Sequence, residues 1–522
     1  MEPSTINKER INIRVGIIIS YVTMAVSVVI SIFYSRYLLN KLGDNQYGLN
    51  SFVLSITSWL SLLTFGLSST YVRFATLASK KDGANGVNRI NGFYFVILSV
   101  ISAVALLIGS IITILFWTGC FPLNQYSDLE KKFINYLMVI SVLSTSLSFL
   151  LNIFSLFENF LSKFIWLRSI DLLTKLLTTG ISVLVIYYGG NIVWVACVNI
   201  AVQLLVGIAN LLYCFKSLKM KIKFQFGEDI KKQLRDVLSF SFFVFLNIII
   251  DQILSNYAKT ALGFWADAKQ VTLYALGLDF YTYEATMSTS ISGSFFPKVN
   301  RLVVDGKDDE VKGLFLKVSK FQMALLFMVV GGFWASGKQF VTAWLGSDRV
   351  SVFYIGLIVM TICLVPLTQT LTVEIQRAYN KHKFRSFFYL GAAFVDVLST
   401  TLCVIYLPYE NKIYGAAFSF ALAVLLAPII GLNIFYKKSL KLPIGKYFKT
   451  FGIFLAFTAT AVCVCYLIFS YGINLSGLNK WLNFIIVGAS FALLYLLFIG
   501  IAFRKDVWSF FQRKKMATKK SL

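Results

Sequence analysis

The chain has 522 residues, 57% of them hydrophobic and 14% charged, with a formal net charge of +25. That balance excludes a soluble protein and points to a membrane protein with many spans, in which length counts helices rather than domains. Basic residues flanking apolar spans obey the positive-inside rule, so the charge implies no nucleic-acid partner.

Reading apolar runs of about 20 residues as spans, the sequence predicts helices at Ile11–Tyr34, Tyr47–Gly66, Gly92–Trp117, Phe133–Leu156, Leu167–Tyr188, Ile192–Phe215, Val237–Lys259, Val271–Phe296, Leu314–Ser336, Val352–Ile375, Phe387–Leu407, Ile413–Tyr436, Tyr447–Tyr471 and Trp481–Phe503. With both termini cytoplasmic, the cytoplasmic loops collect about 38 Lys and Arg and the outer loops about 10, so a multi-pass protein of the cytoplasmic membrane is expected. The first span follows Lys8, Arg10 and Arg14, yet "SIFYSRYLLNKLG" offers no small-residue cleavage site, which makes it an uncleaved helix. Three cytoplasmic segments, "KSLKMKIKFQFGEDIKKQLR", "KVNRLVVDGKDDEVKGLFLKVSK" and "RKDVWSFFQRKKMATKK", carry most of the charge and are expected to meet anionic membrane lipids.

Catalytic material is scarce. The single histidine, His382, sits in the loop "RAYNKHKFR", which leaves His-based metal sites and His-dependent nucleophiles without residues. The seven cysteines lie almost entirely inside spans and suggest no disulfide framework. "GFWASGK" (332–338) begins like a phosphate-binding loop, but Gln339 stands where Ser or Thr is required. Neither a metal nor a cofactor is expected. Outer loops such as "YYGGN" and "LPYEN" are too short for a catalytic domain, so no enzyme is expected.

A shift of about 220 residues aligns "RYLLNKLG" (36–43) with "NYAKTALG" (256–263), Lys163-Phe164 with Lys383-Phe384, and "NIVW" (191–194) with "NKIY" (411–414). Two six-helix halves follow. An even number of helices per half gives both the same orientation, a parallel repeat about an axis along the membrane normal. The expected layout is an N-terminal lobe at 1–215, a basic linker at 216–236, a C-terminal lobe at 237–436, an extra helix pair at 437–503 and a basic tail at 504–522.

The stretches "YSRYLLNKLGDNQYGLNSF", "SLLTFGLSSTYVRFA" and "EIQRAYNKHKFRSFF" resemble polysaccharide repeat-unit flippases, the Wzx-type branch of the MATE-like superfamily. The resemblance implies an all-α polytopic fold of about fourteen helices. It also implies translocation of an undecaprenyl-diphosphate-linked oligosaccharide from the inner to the outer leaflet by alternating access through a cationic cavity. A terminal helix pair would offer a groove for the prenyl tail, and polysaccharide polymerase and chain-length proteins would be partners in the same synthesis.

An ionisable side chain at the bilayer centre costs roughly 2.5–3.5 kcal/mol even on a lenient scale, so each one needs a partner, protein or water. In "NIIIDQILSNYAK" (247–259), Asn247, Asp251, Ser255 and Lys259 recur at every fourth residue and form one polar stripe, either cavity lining or a seam against a neighbouring helix. The eighth span carries Asp279, Tyr283, Thr286, Ser290 and Gly293 along one face and Glu284 on another. Asp251, Asp279 and Glu284, clustered in low dielectric, suit a proton or sodium coupling site. Ser27, Ser31 and Ser35 make a small polar stripe on the first helix, with Ser31 as cavity lining. Arg36 and Arg73 are candidates for the diphosphate, since a guanidinium gives bidentate, permanently charged contacts, and Lys259 and Lys175 add charge. Asp171 reads first as an ion-pair partner of Lys175, four residues on. The rivals are a MATE-type exporter of small molecules, which calls for an acidic cavity, and a membrane-embedded glycosyltransferase or ligase.

Overall fold

The computed structural model describes residues 3–224, 245–379, 381–472 and 479–502. Residues 225–236 of the basic linker, 237–244 of the seventh expected span and the tail from 503 lie outside the described residues. Among the described residues every regular element is helical. The helices are α1 (3–42), α2 (44–82), α3 (84–117), α4 (Asp128–Phe160), α5 (Phe164–Tyr187), α6 (Ile192–Ser217), α7 (245–265), α8 (Ala268–Gly293), α9 (Phe296–Val304), α10 (Asp308–Leu345), α11 (Ser351–Ala378), α12 (His382–Tyr406), α13 (412–438), α14 (Ile444–Ser470) and α15 (Lys480–Ala502). All but the short α9 have membrane length.

Among the described residues eleven stretches are long and apolar enough to cross a membrane. Val22–Thr64 and Thr70–Trp117 together hold α1, α2 and α3, which turn at Gly43 and Gly83, both at positive φ. α7 and α8 fall outside the eleven because they carry the polar stripes. The protein is an all-α polytopic membrane protein, as its sequence predicts. The three short repeat matches fall at turns: Gly43 and Gly263 near the ends of α1 and α7, Lys163 and Lys383 at the starts of α5 and α12, Asn191 and Asn411 just before α6 and α13.

Two compact units emerge, one of residues 1–275 with 393–416 and the other of 276–392 with 417–522. Their boundary cuts through α8, α12 and α13 instead of falling at the linker. The reason is visible within the first unit. At its Gly43 end, the Tyr126 hydroxyl donates to Gly263 O at 2.8 Å, Gln125 Nε2 donates to the same oxygen at 3.0 Å, and Thr272 Oγ1 donates to Asp44 O at 2.7 Å. Phe264 stacks edge-on against Phe52 at 5.1 Å, and a Cβ added at Gly48 would run into the Ala268 carbonyl. Tyr409 donates to Asp267 Oδ2 at 2.5 Å. Ends of α7 and α8 are thus locked to first-half residues, and the turn after α12 is tied to Asp267 between them.

At the Gly83 end of the first unit, Tyr71, Tyr94, Phe154 and Phe157 form an aromatic core over Cys214. Its hydroxyls are satisfied internally, Tyr71 on Asn91 Oδ1 at 2.5 Å and Thr70 with Tyr94 at 2.7 Å, which is the condition for burying them. In the second unit, α14 and α15 pack on α10. Tyr495 donates to Ala324 O at 2.9 Å, and a side chain at Gly331 would collide with Thr458 and Phe491.

Candidate functional site

α2 is broken inside the first unit. Ser58–Thr64 winds as a 3-10 helix, Phe65 and Gly66 take left-handed φ of 45° and 67°, and the α-helix resumes at Leu67. Ser58 and Thr64 donate back to Ser55 O and Ser61 O at 2.8 Å, capping carbonyls that the break releases. Irregular backbone at membrane depth is tolerated where protein buries it or where it lines a watery cavity. Depth follows from α7: Gln252 Nε2 donates to Ser61 Oγ at 2.9 Å. Gln252 lies eleven residues from Gly263, roughly 16 Å along the axis and about half of a bilayer core.

The two faces of α7 do different things. Gln252, Asn256 and Thr260 form a seam: Asn256 donates to Gln252 Oε1 at 2.7 Å, Thr260 pairs with Ser55 at 2.8 Å, and Tyr257 pairs with Thr401. One residue round, Asp251 and Ser255 are exposed while Asn247 and Lys259 are half-buried. A π-turn at Ile253–Tyr257 lies inside this stripe. Four residues of α-helix advance by about 40° beyond a full turn, and a wide π-turn gives part of that back, holding the stripe nearer one face. The seam that the sequence offers as one reading of the stripe therefore exists, on its neighbours.

The remaining sequence candidates divide between the units. Ser31 and Arg36 are half-buried on α1, and Ser35 donates to Ser31 O at 2.8 Å, so that serine is satisfied by its own helix. Arg73 is exposed on α2, two turns past Gly66. Lys175 is half-buried on α5, whereas Asp171 forms its ion pair with Arg168 at 3.2 Å, one turn in the opposite direction. In the second unit Asp279 is half-buried and Glu284 is 1% exposed. Asp251 belongs to the first unit and the other two acids to the second. Among the described residues no three His, Cys, Asp or Glu side chains gather to hold a metal ion.

Neither oxygen of Glu284 has a hydrogen-bond partner among the described residues, and Cys363 lies within electrostatic reach. One turn on, Ser288, Gln322 and Thr370 bond one another, with Gln322 Nε2 to Thr370 Oγ1 at 2.6 Å and Ser288 to Thr370 at 2.9 Å. This cluster serves a second broken helix: Pro366 lacks an N–H, α11 is interrupted at Gln369 and Thr370, and Ser288 caps the released Leu367 carbonyl. Two further acids, which the sequence candidates do not include, are buried. Asp396, 1% exposed on α12, accepts from Thr400 at 3.3 Å; Glu158, 0% exposed on α4, accepts from Cys214 Sγ at 3.6 Å. Charges inside apolar runs were the available signal.

A sequence profile of the family described as polysaccharide biosynthesis protein matches residues 12–303. The chain belongs to that family. This polysaccharide biosynthesis protein shares its fold with the lipid II flippase MurJ in an inward closed conformation, at 17% identity and TM-score 0.68 over 94% of this chain and 100% of that one. It also matches an inward-facing multidrug resistance MATE family transporter of the MOP superfamily, at 10% identity and TM-score 0.61 over 80% and 94% of the two chains. A Vibrio cholerae MATE transporter, VcmN, follows at 15% identity and TM-score 0.55 over 85% and 99%. No curated protein sequence matches the chain.

Proposed function

We propose that this family member is a flippase carrying undecaprenyl-diphosphate-linked oligosaccharide repeat units from the inner to the outer leaflet of the bacterial cytoplasmic membrane. The observation that carries the reading is the break of α2 at Phe65 and Gly66 beside the open polar face of α7, in a chain of the polysaccharide biosynthesis family. Broken spanning helices expose backbone donors and acceptors where a polar headgroup can use them. Asp251 and Ser255 are exposed at membrane depth, where water or a polar substrate suits them better than lipid does.

In this reading Arg36, Arg73, Lys175 and Lys259 hold the diphosphate, and Asn247, Ser255 and Ser31 meet the sugars. Asp251 and Asp279 couple to an ion from positions that water reaches, while Glu284 would exchange a proton only when the second unit opens around it. The locked Gly43 end lies on the side that the charge rule assigns to the outside, so this state would load from the cytoplasm. Release outward then requires breaking the Tyr126–Gly263 and Thr272–Asp44 bonds.

The deciding experiment is reconstitution in vesicles with a fluorescent prenyl-diphosphate oligosaccharide in one leaflet. Protein-dependent translocation, lost in Arg73→Ala and partly kept in Arg73→Lys, is the expected result. A protein that leaves that lipid in place but exports small cations is a MATE-type exporter instead.

A further inference from the structure

On the second unit, at the end of α10 where Asp308 begins the helix, a cavity of about 220 Å³ opens between the start of α10 and the turns after α11 and α13. Lys312, Lys381, Lys441 and Asp308 line it, with Tyr379 on one wall and buried Val311 and Leu442 beneath. The acids here are already engaged. Asp308 accepts the Tyr379 hydroxyl at 2.5 Å, and Asp309 pairs with Lys312 at 2.8 Å. Burial, reinforced by the Asp308 hydrogen bond, pushes the Tyr379 phenol up to about 12, so it donates to Asp308 throughout the neutral range.

That leaves Lys381 and Lys441 facing the cavity with spare donors. Lys381 Nζ gives one hydrogen bond to Ser439 O at 2.8 Å and has two protons left. Lys441 sits at φ 51°, a left-handed conformation that is costly for a residue with a Cβ. The turn holds it there through Ser439 N to Phe435 O at 2.8 Å and Leu442 N to Tyr436 O at 3.1 Å. Strain of this kind persists where the surroundings fix it, and here it fixes an ammonium at the rim of a basic cavity.

We propose that this pocket binds a phosphoryl group at the membrane surface, with Lys381 and Lys441 as its charge-assisted donors. A phosphoryl oxyanion matches two ammonium donors better than a carboxylate would, since it offers acceptors in several directions at once. Its carrier is either an anionic lipid headgroup or a soluble phosphate. The proposal stands apart from the flippase reading, because its readout is binding and not translocation.

The test uses the full chain in nanodiscs of zwitterionic lipid, with short-chain phosphatidylglycerol and inorganic pyrophosphate as separate probes and short-chain diacylglycerol, which has no phosphoryl group, as the control. Native mass spectrometry should show phosphatidylglycerol retained by the wild type and weakened roughly tenfold or more in Lys381→Gln with Lys441→Gln. Glutamine can still donate to Ser439 O, so the turn keeps its shape, and the paired Arg substitutions should restore binding. Lys449→Gln, an exposed lysine outside the cavity, should change nothing. Pyrophosphate binding with the same dependence on Lys381 and Lys441 would assign the pocket to a soluble phosphate. Equal binding by wild type and double variant, an equal loss in Lys449→Gln, or no binding of either probe overturns the proposal.

Discussion

Each unit contains a membrane helix interrupted part-way, and the two interruptions are finished in opposite ways. In the second unit the break of α11 is plugged: Ser288, Gln322, Thr370, Gln369 and Asn433 are all between 0% and 8% exposed and bond the released backbone or one another. In the first unit the break of α2 keeps one side open, with Asp251 and Ser255 exposed on the adjacent helix. The same backbone device thus sits in two different surroundings, a buried polar cluster and the side of a helix that carries an exposed acid. At α2 the capacity that the break releases is met from within the helix, by Ser58 and Thr64, and at α11 by side chains of neighbouring helices.

If the open break is the working one, the largest effect should come from Asp251. Asp251→Asn keeps the shape and should leave the melting temperature nearly unchanged, yet abolish gradient-coupled translocation in vesicles. Lys259→Gln added to it should not restore transport. Recovery in that double variant would mean that Asp251 only balances a buried charge, and would remove the functional half of the comparison.

The plugged break should respond in the reverse sense. Asn433 accepts from Gln369 Nε2 and donates to Ile429 O, both at 2.8 Å, across a π-segment that contains Pro428. Asn433→Leu fills the space but strands two buried polar groups, at about 1–3 kcal/mol each. Thermal unfolding in detergent should shift down clearly, while translocation per folded molecule stays close to wild type. Loss of transport without loss of stability would place the second unit's polar seam in the transport path.

The all-helical polytopic fold was legible because apolar length is a local quantity, readable without knowing which helix meets which. The sequence carried Glu284 as an acid off the main stripe of α8, and the structure buries it. It carried the α7 stripe but not the seam beside it, since Gln252 and Asn256 become a seam only once Ser61 stands opposite. The break in α2 was hidden for a similar reason: one glycine in "SLLTFGLSS" is unremarkable in a membrane span. Asp396 and Glu158 were passed over because single charges in apolar runs gain meaning from what surrounds them, and that is long-range information.

The smallest effect is also the most direct check on the break itself. Gly66 holds φ 67°, where alanine is disfavoured by roughly 1–2 kcal/mol, while Gly452 lies in regular α14 with open space where a Cβ would go. In a continuous helix, Gly→Ala stabilises by about 0.4–1 kcal/mol through the unfolded chain. The two substitutions should therefore move the unfolding midpoint in opposite directions, Gly452→Ala slightly up and Gly66→Ala down. A rise in both would mean that α2 runs unbroken through the membrane in the working protein. Backbone groups beside Asp251 would then be committed to the helix, leaving the α7 stripe without the polar wall on which the proposed headgroup site depends.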